Sequence, residues 1–206
     1  MDIYNKLKST LKAEIEARNL QNASVSINCK ALSVKEAIGT PEHNDYPIQK
    51  GKEVMIEADF LGTKGQAFTD TYENRTYMIE DLLALPLDNN REKASFVATL
   101  NAVWRHFGKC GKTVHCKDKE PVECAGHLGE KLDFSKKTLL VGLQPRFLEQ
   151  LAKNGNVRVL DLDADNIGRK FGNVIVESAS NFKDAAQWCD QIFSTGSTIC
   201  NGSIEE

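Results

Sequence analysis

Residues 99–124, TLNAVWRHFGKCGKTVHCKDKEPVEC, divide this chain into two sequence patterns. The stretch opens as the end of an apolar-striped helix and closes at a second helix start near Pro121, with a polar loop between. Three of the six cysteines (Cys110, Cys116, Cys124) and three of the four histidines (His106, His115, His127) fall in or beside it. Ahead of it the chain mixes strands and helices; behind it strand and helix alternate. A segment rich in metal-capable side chains at such a junction is where function is expected, because clefts form where domains meet.

Ahead of the junction, Ile3, Leu7, Leu11, Ile15 and Leu20 recur at helical spacing. Residues 23–29, ASVSINC, alternate as a half-buried strand does, a short strand is expected around 37–39, and 53–60, EVMIEADF, reads as another strand. The following LGTKGQAFTD, with Gly62 and Gly65, reads as a glycine-bearing hairpin or a polar loop at a cleft rim. Two helices are expected over 78–85 and 89–107. The second carries the stripe Phe96, Leu100, Val103 and Phe107, with Ala94, Ala98 and Ala102 permitting close packing. Strands followed by helices describe an α+β domain over 1–110.

Behind the junction, 137–142, KTLLVG, is an unbroken apolar run, as in a strand covered on both faces. Pro145 suits the first turn of a helix running to about Lys153. Strands are expected at 157–162, 174–176 and 191–194, with a helix from an Asn181 cap to Cys189. This alternation predicts an α/β, Rossmann-like parallel-sheet domain over 111–206. Such a sheet would continue, so the end at Glu206 reads as a truncation.

Composition excludes several classes. The net charge of −3, with scattered lysines and arginines, offers no field for nucleic acid. The amphipathic, charged N-terminus is unlike a signal peptide, and no apolar run approaches the ~18–20 residues that span a bilayer. A cytoplasmic protein is expected, with its cysteines as thiols or metal ligands rather than disulfides. No sequence feature reports an oligomeric state.

Two candidate sites follow. The C-terminal ends of the parallel strands feed polar loops carrying Gly142, Gln144 and Pro145; Asp161, Asp163 and Asn166; and Thr195, Gly196, Ser197, Thr198 and Asn201. Open parallel sheets bind ligands at that edge, and helix N-termini favour anions. The run VGLQPRF has one glycine where the GxGxxG fingerprint has three, so no standard nucleotide cofactor is expected. Asp161-x-Asp163-x-Asp165 lacks the remaining positions of a calcium loop. The second candidate is His115, Cys116, Cys124 and His127, with Cys110 nearby: thiolate and imidazole suit soft metals. Without a paired CxxC knuckle this is not a structural-zinc pattern, and buried cysteines with a surface histidine would look the same. Cys116 as a nucleophile would need a lowered pKa, for which Lys117 and Lys119 are the nearby cations.

The blocks GQAFTD (65–70), ALPLDNN (84–90), ATLNAV (98–103), TVHCKDKEP (113–121), VGLQP (141–145), VLDLDADNIG (159–168) and STGSTICNG (194–202) together resemble the heavy-metal chelation family, a domain of unknown function. The resemblance implies an enolase N-terminal-like domain followed by a Rossmann-like domain, with a ligand site in the cleft between them. It implies a metal-handling protein whose ligand is a soft or heavy metal ion. The residues alone leave a second function open: an enzyme acting on a small anionic metabolite at the sheet edge.

Overall fold

The computed structural model describes residues 2–28, 35, 38–40, 47–50, 52–118, 120–153 and 155–206. Their contacts divide into two compact units. One draws on Met1–Thr40, Tyr46–His115 and Gly196–Glu206, and the other on Cys116–Thr195.

The first unit is built on an antiparallel sheet of β1 (Ser24–Asn28), β2 (Val54–Phe60), β3 (Thr63–Thr69) and β4 (Arg75–Met78), in the order β3-β2-β1-β4. The β2–β3 pair is a tight hairpin in which Phe60 faces Thr63, and Leu61 and Gly62 both turn through positive φ. The hairpin reading of LGTKGQAFTD therefore holds. The short strand expected around 37–39 falls partly outside the described residues; Ile38 is helical and Gly39 has a φ of 71°.

Helix α1 (Ile3–Glu16) begins where Asp2 accepts the Asn5 N–H at 2.8 Å, an N-cap that satisfies one orphan donor of the first turn. Leu11 and Ile15 on its apolar face are buried. Helix α2 (Ile79–Ala84) follows β4 directly and buries Ile79 and Leu82. Helix α3 (Asn90–His106) is capped in the same way by Asn89, which accepts the Glu92 N–H at 3.0 Å. Its Phe96, Leu100 and Val103 enter the core with Val25, Ile27, Ile56 and Phe60, while Ala98 and Ala102 lie against β3.

The second unit is organised on β5 (Thr138–Val141). Parallel strands flank it: β6 (Val157–Asp161) on one side and β9 (Gln191–Ser194) on the other. Beyond β6 lies parallel β8 (Val174–Ser178), and the two-residue β7 (Lys170–Phe171) closes the edge as an antiparallel partner of β8. The order is β7-β8-β6-β5-β9. Leu139 and Leu140 are both fully buried but join different cores, as expected of a strand covered on both faces. Helix α5 (Pro145–Ala152) supplies Leu148 and Leu151 to the core containing Leu140, and α6 (Phe182–Trp188) supplies Ala185 to the one containing Leu139. A further short helix, α4 (Glu120–Gly126), precedes this sheet.

One expectation is corrected. Asn181 makes no cap bond to α6; its side-chain amide donates to Glu177 Oε2 at 3.1 Å instead. By contacts, the second compact unit ends at Thr195. The remaining residues, including α7 (Ser197–Asn201), pack in the first unit. There Tyr4 Oη donates to the Ile199 carbonyl at 2.6 Å, the Ile3 N–H donates to Glu205 Oε1 at 2.6 Å, and Cys200 is buried.

Candidate functional site

The strand order of the second unit reverses between β5 and β9, and the loops leaving β5, β6 and β9 meet there. The backbone is drawn tight around Gly142. Its N–H donates to the Leu160 carbonyl at 2.8 Å, and the Thr195 N–H donates to the Val141 carbonyl at 2.9 Å. With φ at 85°, a Cβ on residue 142 would stand 2.4 Å from Thr195 Cγ2, so only glycine fits. Reversal points of this kind leave a crevice outside the carboxyl ends of the strands.

Asp161, the last residue of β6, organises the loops. Its Oδ2 accepts the Leu143 N–H at 2.6 Å, and its Oδ1 accepts the Asp163 N–H at 2.7 Å and the Asn166 amide at 3.3 Å. Asn166, nearly buried, accepts in turn from Arg169 at 3.0 Å. The carboxylate thus occupies a backbone donor that an incoming anion would otherwise use. Gln144 stands at the N-cap of α5 without a side-chain cap bond, and Pro145 opens the helix. Arg146 in the next position is almost fully buried and pairs with Glu149 at 3.0 Å. Thr195 completes the edge, whereas Gly196, Ser197, Thr198 and Asn201 belong to the first unit, with Thr198 buried there.

The cysteines expected as metal ligands come together in part. Cys116 lies in the loop that opens the second unit and Cys124 on α4, and their Sγ atoms are 3.5 Å apart. Two hydrogen bonds shape the link between them: the Lys117 N–H donates to Glu120 Oε2 at 2.6 Å, and the Glu120 N–H donates to the Lys117 carbonyl at 2.9 Å. Two zinc–sulfur bonds of about 2.3 Å at a tetrahedral angle would hold their sulfurs ~3.8 Å apart, so this spacing suits two ligands of one soft ion. His127 is exposed, with Nδ1 held 2.7 Å from Glu130 Oε1. His115 belongs to the first unit, where its N–H donates to Gln66 Oε1 at 2.7 Å and its ring meets Phe68 edge-on. Among the described residues, no three histidine, cysteine or acidic side chains gather as a metal-binding group. None of the described cysteines forms a disulfide.

A depression of about 430 Å³ in the first unit is lined by Gly62, Thr63 and Lys64 of the glycine-bearing loop together with Arg105 and Val114, two residues that the sequence does not single out. Lys64 there is paired with Glu57 at 2.7 Å, which holds its ammonium above the usual range. No spacing motif links these residues, which the β2–β3 hairpin and the end of α3 bring together.

Residues 127–206 match the DUF364 family. Its description is "Putative heavy-metal chelation". Cys124 precedes the matched segment by three residues, and Gly142, Asp161 and Thr195 lie within it. A DUF364-family protein of unknown function from Pyrococcus horikoshii superposes with a TM-score of 0.55 at 14% identity, covering 96% of this chain and 71% of that one. Another from Desulfitobacterium hafniense DCB-2 gives a TM-score of 0.46 at 17% identity, covering 73% of this chain and 61% of that one. The Pyrococcus likeness extends to the fold. No curated protein matches the sequence. No helix among the described residues is long and apolar enough to cross a membrane.

Proposed function

We propose that this chain handles a soft or heavy metal ion, with the Cys116 and Cys124 thiols as its first two ligands. The observation that carries the reading is their 3.5 Å separation within one unit. The description of the matching family supports metal handling, while both thiols lie ahead of the matched residues 127–206. Thiolates prefer thiophilic ions, and two of them do not fill the four positions of a structural zinc site, so the ion is cargo with sites open to solvent or a second ligand. His127 is proposed as a third ligand that joins the two thiols only by moving toward them on binding, since no such trio is gathered among the described residues. Glu130 at its Nδ1 provides the kind of carboxylate contact that orients metal-binding imidazoles. His115, set edge-on against Phe68, is left out of this set.

In this reading Cys116–Thr195 is a Rossmann-like unit, supported by its order β8-β6-β5-β9 around a reversal point. The antiparallel sheet with its helices is the enolase N-terminal-like one. The test is calorimetric titration of the reduced protein with cadmium and with zinc, on wild type, Cys116→Ser, Cys124→Ser and His127→Ala. Each serine variant should lose at least tenfold in cadmium affinity, and His127→Ala less. Wild type that binds neither ion above background would end the metal reading.

A small anionic ligand at the sheet edge is the second reading. It is favoured by the buried Arg146 in the first turn of α5, beside Gln144, whose side chain makes no cap bond. Phosphate and short dicarboxylates in the same calorimeter test it, with Arg146→Met as the control.

A further inference from the structure

We infer that Cys116 and Cys124 form a reversible dithiol–disulfide pair, oxidised by low-molecular-weight disulfides, and that closing the bond shuts the thiol site. The first half stands on geometry alone; the second rests on the metal-handling reading above.

A disulfide needs its sulfurs at about 2.05 Å, so the pair must close by roughly 1.5 Å from the observed 3.5 Å. The surroundings allow that movement. Cys116 sits in a loop outside any strand or helix, and Cys124 on the seven-residue α4. The connecting segment is already folded back on itself by the Lys117–Glu120 bonds, with Asp118 turned through a φ of 53°. Rotation of the two side chains with adjustment of the loop is the movement that the bond requires.

Access separates these thiols from another in the chain. Both are half-buried, so a small disulfide can reach them. Cys200, by contrast, is 4% exposed, and burial beside Glu53 pushes its thiol up to about 12. A thiol in that state does not exchange, because the thiolate is the nucleophile.

The chemistry balances in two exchanges. The thiolate of one cysteine attacks a sulfur of glutathione disulfide, forming a mixed disulfide and expelling one glutathione thiolate. The second cysteine, its proton lost to solvent, attacks the protein sulfur of that mixed disulfide. The Cys116–Cys124 bond forms and the second glutathione thiolate leaves. Two electrons pass from the pair to glutathione disulfide. The product sulfurs are no longer thiolates and have lost their affinity for a soft ion.

The experiment uses the full chain, reduced and metal-free, equilibrated under nitrogen with graded ratios of oxidised to reduced glutathione. Thiol tagging and peptide mapping read the products. Wild type should lose two thiols together and yield a peptide pair joined between residues 116 and 124. Cys116→Ser and Cys124→Ser should each stop at a glutathione adduct on the remaining cysteine. Separate adducts on both cysteines of wild type, with no 116–124 crosslink at any ratio, would overturn the pair, as would bonding of either to a different cysteine. Cadmium titration of the crosslinked protein then separates the two readings. Loss of uptake at least tenfold supports the shut site. Undiminished uptake with the crosslink in place overturns the shut site and removes these sulfurs from the proposed metal function, while the redox pair stands. Uptake by reduced protein that forms no crosslink leaves the metal reading intact and ends the redox one.

Discussion

Gly65 on β3 lies so near α3 that a Cβ there would stand 2.2 Å from the Ala102 backbone nitrogen and 2.4 Å from the Ala98 carbonyl oxygen. Both obstacles are backbone of a helix that is itself packed on the sheet, so neither can yield locally. Gly65→Ala should therefore destabilise the first unit by about 3 kcal/mol or more, in the range of severe overpacking. Chemical denaturation monitored at Trp104 reads this. A Gly65→Ala protein within ~0.5 kcal/mol of wild type, the range of ordinary surface changes, would show that α3 does not rest on the β3 backbone.

The same contact explains what the sequence concealed. TKGQAFT has the period of a strand, but its inward positions Gly65, Ala67 and Thr69 are small because a helix rests on them, so the usual apolar alternation is weak. Strand β4 is hidden similarly: Tyr77 is its one buried side chain. The alanine positions of α3 were legible as a close-packing face, though not which strand they meet. In the second half, KTLLVG and VRVLD announced themselves because both faces are covered.

The candidate site was legible unevenly. Pairing of Cys116 with Cys124 depends on how the chain folds back at Lys117 and Glu120, which no spacing rule supplies. Asp161 stood out as an acidic strand end, but its task of holding the Leu143 N–H is a tertiary fact. The return of Gly196–Glu206 to the first unit is equally nonlocal. It depends on contacts such as Tyr4 with Ile199, nearly the whole chain apart.

A pH dependence follows from Arg158 on β6, which grips Glu177 on β8 through two bonds, Nε to Oε1 at 2.7 Å and a terminal nitrogen to Oε2 at 2.6 Å. The Arg158 hydrogen bonds hold the Glu177 carboxyl below its usual range, against the opposing effect of burial. A carboxyl lowered in the folded state contributes stability above its unfolded pKa of about 4.3 and loses it as pH falls through the folded value. Glu177→Gln should cost about 1–2 kcal/mol at pH 7, since Arg158 keeps Asp184 as a partner. The gap between the two proteins should be level from pH 7 to about 5 and narrow below about 4.3. Denaturation midpoints across that range check it, and a gap that widens on acidification would contradict the assignment.

Asp161 supports the most discriminating prediction about the sheet edge. Its carboxylate accepts two backbone N–H groups, from Leu143 and Asp163, and the Leu143 residue is buried. Asp161→Ala removes the acceptor and leaves the Leu143 donor in a site that water reaches poorly, which should cost about 2–3 kcal/mol. The lost group also leaves a carboxylate-sized space beside three former donors, the two backbone N–H groups and the Asn166 amide. Formate or acetate should then refill it, raising the melting temperature of the alanine variant by several degrees at high millimolar concentration. Wild type, whose own carboxylate fills the place, should not respond beyond a general salt effect matched with chloride. If wild type and variant gain equally, the edge holds its anion somewhere other than the Leu143 N–H. If neither gains beyond chloride, the vacated site collapses, and Asp161 is a packing element of the β6 terminus rather than an internal substitute for a bound anion.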